Sequence, residues 1–247
     1  MRSLVFTLIL AASFAACSGS APEESAPPPP VANPVDATSA GSLTGSITLE
    51  GTPPASETIN RRSDSYCEGL GTATTQVFVV TNGGLQNVFV YIKDGLGGVK
   101  FPVPATPVVL DQQGCTYLPR VFGIQAGQPL EIRNSDDTLH NIHALPRNNR
   151  EFNRGQALKG IKHTHVFTTA EVMVPFNCDV HKWMNAWVGV LDHPFHAVSG
   201  PGGAFEIQGV PPGTYTIEAW HEKLGTQTQT VTIGPKEAKN LSFTFKI

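Results

Sequence analysis

Residues 171–191 read Glu-Val-Met-Val-Pro-Phe-Asn-Cys-Asp-Val-His-Lys-Trp-Met-Asn-Ala-Trp-Val-Gly-Val-Leu, and no other stretch constrains the chain as much. Two apolar runs flank a tight loop in which Cys178, His181 and Met184 recur at every third position. With 4 Cys, 8 His and 3 Met in 247 residues, chance supplies roughly 0.002 copies of this Cys-x-x-His-x-x-Met spacing. A thiolate, an imidazole and a thioether are the soft ligands copper prefers, and a His2Cys plane with a long axial Met describes a blue-copper electron-transfer site. One histidine is missing from the loop, and Asp136-Asp137-Thr138-Leu139-His140-Asn141 offers His140. The expected cofactor is copper, in one mononuclear site.

Two segments extend this reading. Gly127-Gln128-Pro129-Leu130-Glu131-Ile132-Arg133-Asn134 runs into Asp137-Thr138-Leu139-His140-Asn141, and Phe176-Asn177-Cys178-Asp179-Val180-His181-Lys182-Trp183-Met184 follows later. The first resembles the G-x-x-[VL]-x-[FI]-x-N strand that leads to the first His ligand of a cupredoxin. The second resembles the C-terminal ligand loop of that family in its short, amicyanin-like form. The resemblance spans 106–191, about a third of the chain. It implies a Greek-key sandwich in which Cys178, His140 and His181 form the trigonal plane and Met184 the axial ligand. It also implies that Asn141 ties the two ligand-bearing segments together. His143 competes with His140; residues three apart on a regular strand face opposite sides, so the two reach one metal together only if a bulge intervenes. The family position favours His140.

The start of the chain reads as an export signal. Met1-Arg2-Ser3 is positive, and residues 4–16 are mostly apolar but too few to span a bilayer. Phe14-Ala15-Ala16-Cys17 resembles a bacterial lipobox, which implies lipidation of Cys17 and anchoring without a transmembrane helix. Ser18 after the cysteine resembles outer-membrane sorting. These residues predict a lipoprotein on the periplasmic face of a bacterial membrane, the outer one. Ordinary cleavage near Ala16, releasing a soluble periplasmic protein, is the other reading. With 1–17 as signal and anchor, 18–41 contains six prolines and no aromatic residue. Such a segment buries too little apolar surface to offset its ordering entropy and is expected to be a disordered, extended tether.

From residue 42 onward short β-rich runs alternate with Gly, Pro, Asn and Asp. Strands are predicted at 43–49, 76–80, 88–93, 108–110, 128–133, 165–167, 172–176, 187–191, 204–207, 214–219, 228–233 and 241–246. One short helix is predicted at 150–158. The fold class is all-β. Residues 202–220, containing Val210-Pro211-Pro212-Gly213, resemble the carboxypeptidase regulatory-like or transthyretin-like sandwich, where the Pro-Pro-Gly turn joins two antiparallel strands. Residues 44–51 and 88–92 resemble the opening strands of the same family. The layout is therefore 42–105 as the first half of that sandwich, 106–197 as the cupredoxin, and 198–247 as the second half. A tandem layout, with 42–105 extending the cupredoxin, is the alternative.

Cys17 belongs to the signal boundary and Cys178 to copper, which leaves Cys67 and Cys115. In an oxidising compartment two such cysteines pair, and a Cys67–Cys115 bridge would staple the N-terminal segment onto the cupredoxin. Additional copper ligation by them has no His or Met beside either one to support it. His163 with His165, and His193 with His196, are candidates for a second metal, against the commoner reading of surface or capping histidines. His221 reads as structural. Trp183, Trp187, Pro175, Phe176 and Leu145 would crowd the copper end. They read either as an apolar docking patch, with electrons leaving by an exposed edge of His181, or as shielding. Core packing suits Trp187 better than partner contact.

No nucleophile elbow or phosphate loop is present, and in the globular part no paired-carboxylate pattern stands out beyond Asp136-Asp137, so an enzyme is not expected. A net charge of −3 excludes nucleic acid as an expected partner. Three functions remain. The first is an anchored periplasmic copper protein passing single electrons between redox partners. The second is copper storage or delivery. The third is a carbohydrate- or envelope-binding sandwich lipoprotein.

Overall fold

The computed structural model describes residues 32–247. Cys17, the signal segment and 18–31 lie outside the described residues. β1 (Gly41–Glu50) opens the fold, and a short helix, α1 (Ser65–Gly69), interrupts the long connection to β2 (Val80–Thr81) and β3 (Gly84–Leu85). After β4 (Phe89–Asp94) come β5 (Val108–Gln112), β6 (Tyr117–Leu118), β7 (Val121–Gln125) and β8 (Pro129–Asn134). Then follow β9 (His140–Ala144), β10 (Phe152–Gln156), β11 (Lys162–Val166), β12 (Glu171–Asn177) and β13 (Asn185–Leu191). The last five strands are β14 (His196–Val198), β15 (Ala204–Val210), β16 (Gly213–His221), β17 (Gly225–Ile233) and β18 (Ala238–Lys246). The protein is nearly all β.

Four sheets form two sandwiches. The first sandwich pairs the sheet β15-β1-β3-β2, with β18 also on β1, with the sheet β14-β4-β16-β17. The second pairs β10-β9-β12-β13-β7 with β11-β8-β5-β6. Strands from the two ends of the chain thus share sheets, and β5 to β13 lie between them in sequence. Alternation does the sorting: Leu241, Phe243 and Phe245 of β18 are buried while Asn240, Ser242 and Thr244 face away. With Leu43, Ile47, Val90 and Ile217 they form the first core. Leu130, Ile132, Val174, Phe176, Val188 and Val190 belong to the second. Each such side chain contributes about 1.5–3 kcal/mol on burial.

A third cluster joins the sandwiches through Phe89, Tyr91, Val121, Met173 and Leu191. Here Gly123 of β7 pairs with Gly189 of β13. A Cβ on Gly189 would lie 2.3 Å from the Phe89 ring, and one on Gly123 would lie 2.3 Å from the His196 ring. Those rings stack on each other with centroids 5.4 Å apart. The glycine pair is what lets β4 and β14 lie so close to the second sandwich.

Several sequence expectations need correction. The 150–158 segment is not helical: Phe152–Gln156 is β10, pairing antiparallel with His140–Ala144. Pairing on β9 satisfies the backbone groups on that edge, and the Phe152 ring packs on Phe176 in the second core. The Pro-Pro-Gly segment is not a hairpin either, because β15 and β16 lie in opposite sheets. Prolines cannot donate to a ladder, so the chain turns a corner there, locked by the Tyr215 hydroxyl donating to the Pro211 carbonyl at 2.7 Å. The 18–41 tether also ends earlier than expected. Asp36 closes a turn by accepting from the Thr38 N–H at 2.8 Å, Val35 packs on the first core, and β1 begins at Gly41. The 42–105 segment is not wholly part of the first sandwich, since Cys67 of α1 packs into the second core.

Candidate metal centre

His140 is the first residue of β9, so it stands at the end of the second sandwich. The chain leaves β12 at Asn177, and Cys178 follows at once. The loop then closes on itself. The Cys178 N–H donates to the Met184 carbonyl at 3.1 Å, and the Met184 N–H to the His181 carbonyl at 2.9 Å. The His181 N–H points at Cys178 Sγ, 3.3 Å away. Met184 then leads directly into β13. His140, Cys178, His181 and Met184 are all at most 1% exposed, so none is a surface side chain.

Ligand-capable atoms of His140, Cys178 and His181 all lie within 4.8 Å of one another. The two imidazoles face each other through Nδ1, 2.9 Å apart. Each ring is held from behind. His140 Nε2 is 2.9 Å from Asp136 Oδ2, and His181 Nε2 is 3.1 Å from Asp64 Oδ2. A carboxylate at Nε2 selects the tautomer with its proton there, which leaves both Nδ1 lone pairs aimed at the same point. Two buried acceptors facing each other call for a proton or a cation between them. Burial lowers the proton affinity of His140, with Asp136 opposing and His181 adding to the fall. The donor set of two imidazole nitrogens and one thiol sulfur therefore fits a soft metal ion.

The two carboxylates are themselves tied down. Burial pushes Asp136 up, but N–H donors from Cys115 at 2.7 Å and Gly114 at 2.8 Å, with His140, hold it below the usual carboxylate range. Burial likewise opposes Asp64, while the Thr138 hydroxyl at 2.6 Å and the Cys67 N–H at 3.0 Å keep it low. Cys67 and Cys115 form a disulfide, with sulfur atoms 1.96 Å apart. Cys67 Sγ lies 3.9 Å from His181 Nε2. Asn141 bridges the ligand-bearing segments: its Oδ1 accepts from the Asp179 N–H at 2.5 Å, and its amide donates to Asp179 Oδ2 at 3.3 Å. The buried Tyr117 hydroxyl donates to the Asn141 carbonyl, and burial with the neighbouring Cys178 pushes its proton affinity up.

Comparisons with known proteins match parts of the chain. A family model described as Polysaccharide lyase family 4, domain II, matches residues 168–241, a range that takes strands from both sandwiches. No curated protein matches. Among solved structures, a purple cupredoxin from Nitrosopumilus maritimus is 22% identical over 34% of this chain and 98% of its own, with a TM-score of 0.30. An amicyanin variant in its Cu(I) form is 20% identical over 36% of this chain and 85% of its own, at 0.31. The copper nitrite reductase of Thermus scotoductus SA-01 is 18% identical over 41% of this chain, at 0.34. This chain spans only 26% of that enzyme.

The other histidines lie elsewhere. His143 points away from the cluster, with Nδ1 3.0 Å from Asp179 and Nε2 2.9 Å from Glu151. Among the described residues, no metal-capable cluster contains His163, His165, His193 or His196. His165 packs on the Phe152 ring at 4.0 Å. His193 donates to the Ile92 carbonyl at 2.9 Å, and His221 to that of Val77 at 3.0 Å. Trp187 packs on Trp220 between the sandwiches, with ring centroids 5.1 Å apart. The expected exposed edge of His181 does not exist. Its ring is 1% exposed because α1, Asp64 and the disulfide cover it. Asp64 and Tyr117 went unread in the sequence, as did Tyr66, whose hydroxyl donates to Asp136 Oδ1 at 3.2 Å. Asp64, three residues before Cys67 as the helix cap, carried a local signal for α1 but none for His181.

Proposed function

We propose that this protein is an exported mononuclear copper protein that passes single electrons between redox partners, in which His140, Cys178, His181 and Met184 would hold the metal. One observation carries the reading: two carboxylate-backed imidazoles converge through Nδ1 at 2.9 Å beside a buried cysteine. Copper, when bound, supplies a one-electron Cu(II)/Cu(I) couple. The protein's own part is to hold the ligand set still. Asp64 and Asp136 orient the rings, the backbone bonds from Cys178 to Met184 lock the loop, and β9, β12 and β13 anchor its ends. A frame that barely moves between oxidation states keeps the reorganisation cost of transfer low. The His181 N–H aimed at Cys178 Sγ stabilises the thiolate.

Anchoring through Cys17 on the periplasmic face of the outer membrane belongs to the same proposal, as does the role of carrier rather than enzyme. A fully buried ligand set argues for a carrier, because it leaves no position open to a substrate. Storage or delivery of copper is the rival, and burial of every ligand disfavours it, since delivery needs a ligand that a partner can reach. The deciding experiment is the visible and EPR spectrum of the purified protein with one equivalent of Cu(II). An intense thiolate-to-copper band with narrow copper hyperfine splitting, lost in Cys178→Ser and His140→Ala, supports the proposal. A weak, ordinary Cu(II) spectrum refutes it.

A further inference from the structure

With the His181 edge covered, an electron needs another way out of the centre, and Trp183 offers one. Its ring packs on the His181 ring with centroids 4.8 Å apart and planes inclined by 35°. Its indole N–H donates to the Cys115 carbonyl at 3.0 Å, which fixes the ring in place. The half-buried Trp183 also lines a cleft of about 510 Å³ at the surface. Arg61, Arg120 and Lys182 line the same cleft, and its lining contains no carboxylate. Arg120 is neutralised by Glu222 at 2.6 Å. Arg61 is not: Nη2 donates to the neutral Gly114 carbonyl at 3.1 Å, and its buried Nε has no partner. Lys182 pairs with Asp179 at 3.5 Å, but its side chain is 77% exposed, so that pair is weak and easily exchanged for an anion in the cleft.

We propose that this cleft binds a small anionic one-electron carrier, and that the electron crosses Trp183 between that carrier and the His181 side of the centre. A volume of this size suits a small molecule, and the cationic lining concentrates anions there. The transfer moves one electron, makes and breaks no bond, and carries no proton. Its electron step rests on the copper reading above. Anion binding does not.

Hexacyanoferrate is the probe for both parts. Calorimetric titration of the copper-free protein with hexacyanoferrate(II) should show one saturable site, weakened about tenfold by Arg61→Gln and further by adding Lys182→Gln. Lys182 is exposed, so its single variant will fold even if Arg61→Gln disturbs the Gly114 loop. With copper loaded and reduced, oxidation by hexacyanoferrate(III) should slow as salt is added, while oxidation by the tris(phenanthroline)cobalt(III) cation should not. Trp183→Leu should slow hexacyanoferrate(III) about tenfold with the visible spectrum unchanged, and Trp183→Phe should restore most of the rate. Absence of anion binding, indifference of binding to Lys182→Gln, or equal salt dependence for both oxidants would overturn the proposal. If the anion binds but no copper centre forms, the copper reading fails and the anion site stands. If the centre forms and the anion does not bind, only this inference fails.

Discussion

Cys67 Sγ and His181 Nε2 lie 3.9 Å apart although 114 residues separate them in the chain. The disulfide is therefore the roof of the candidate metal centre as well as a staple. Its two halves serve the two histidines alike. The Cys67 N–H and His181 share Asp64, while the Cys115 N–H and His140 share Asp136. The bond at the centre of this arrangement holds both carboxylates where the imidazoles need them.

Removing the bridge with Cys67→Ser and Cys115→Ser together should lower stability by about 2–5 kcal/mol, given the loop it closes. Urea denaturation of the metal-free protein measures this. The metal-loaded form should lose more, because both carboxylates loosen. Equal losses in the two forms would show that the bridge does not support the centre.

Asp64→Asn and Asp136→Asn each replace a carboxylate that selects the Nε2–H tautomer of a candidate ligand histidine. Either change should lower copper affinity by about 10–100-fold. Competition with a chelator of known affinity reads the loss directly. An unchanged affinity would mean that the tautomer is held some other way.

Gly189→Ala and Gly123→Ala should each cost about 1–3 kcal/mol by overpacking the seam between the sandwiches. The added Cβ meets the ring of Phe89 or His196 at 2.3 Å, and both rings are confined by the opposing sheet. Equilibrium unfolding monitored at Trp187 and Trp220, which meet at this seam, provides the test.

His196 makes the same seam sensitive to acid. Burial depresses its pKa to about 4, with His193 nearby adding to the effect. Between the ordinary value and about 4 the unfolded chain binds a proton that the folded one does not. Stability from this group is thus full above pH ~6.5 and falls as pH drops toward 4. His196→Gln should flatten that limb of the stability curve, and an unaltered slope in a pH series of urea midpoints would contradict it.

Residue chemistry and local spacing were enough to pick out His140, Cys178 and His181, which the fold brings together. Cys178, His181 and Met184 share one short loop, and the loop's own backbone bonds bring them round. Period-two alternation was likewise enough for most strands of the two cores, because it depends only on neighbours along the chain. It failed at Val121–Gln125, where Gly123 interrupts the pattern to serve a ring from the other sandwich; at the Pro-Pro-Gly corner it found both flanking strands, and only the hairpin that the resemblance implied was wrong, because the two strands belong to different sheets. Asp64 lies 117 residues from the His181 it orients. Nothing near Asp64 in sequence marks that role, because hydrogen bonds of this kind follow from where α1 lands once Cys67 is bonded to Cys115. The same landing covers His181 and leaves Trp183 facing the cleft. Local chemistry marked the candidate ligands, while long-range packing decided what surrounds them and which side chain lies between them and the cleft.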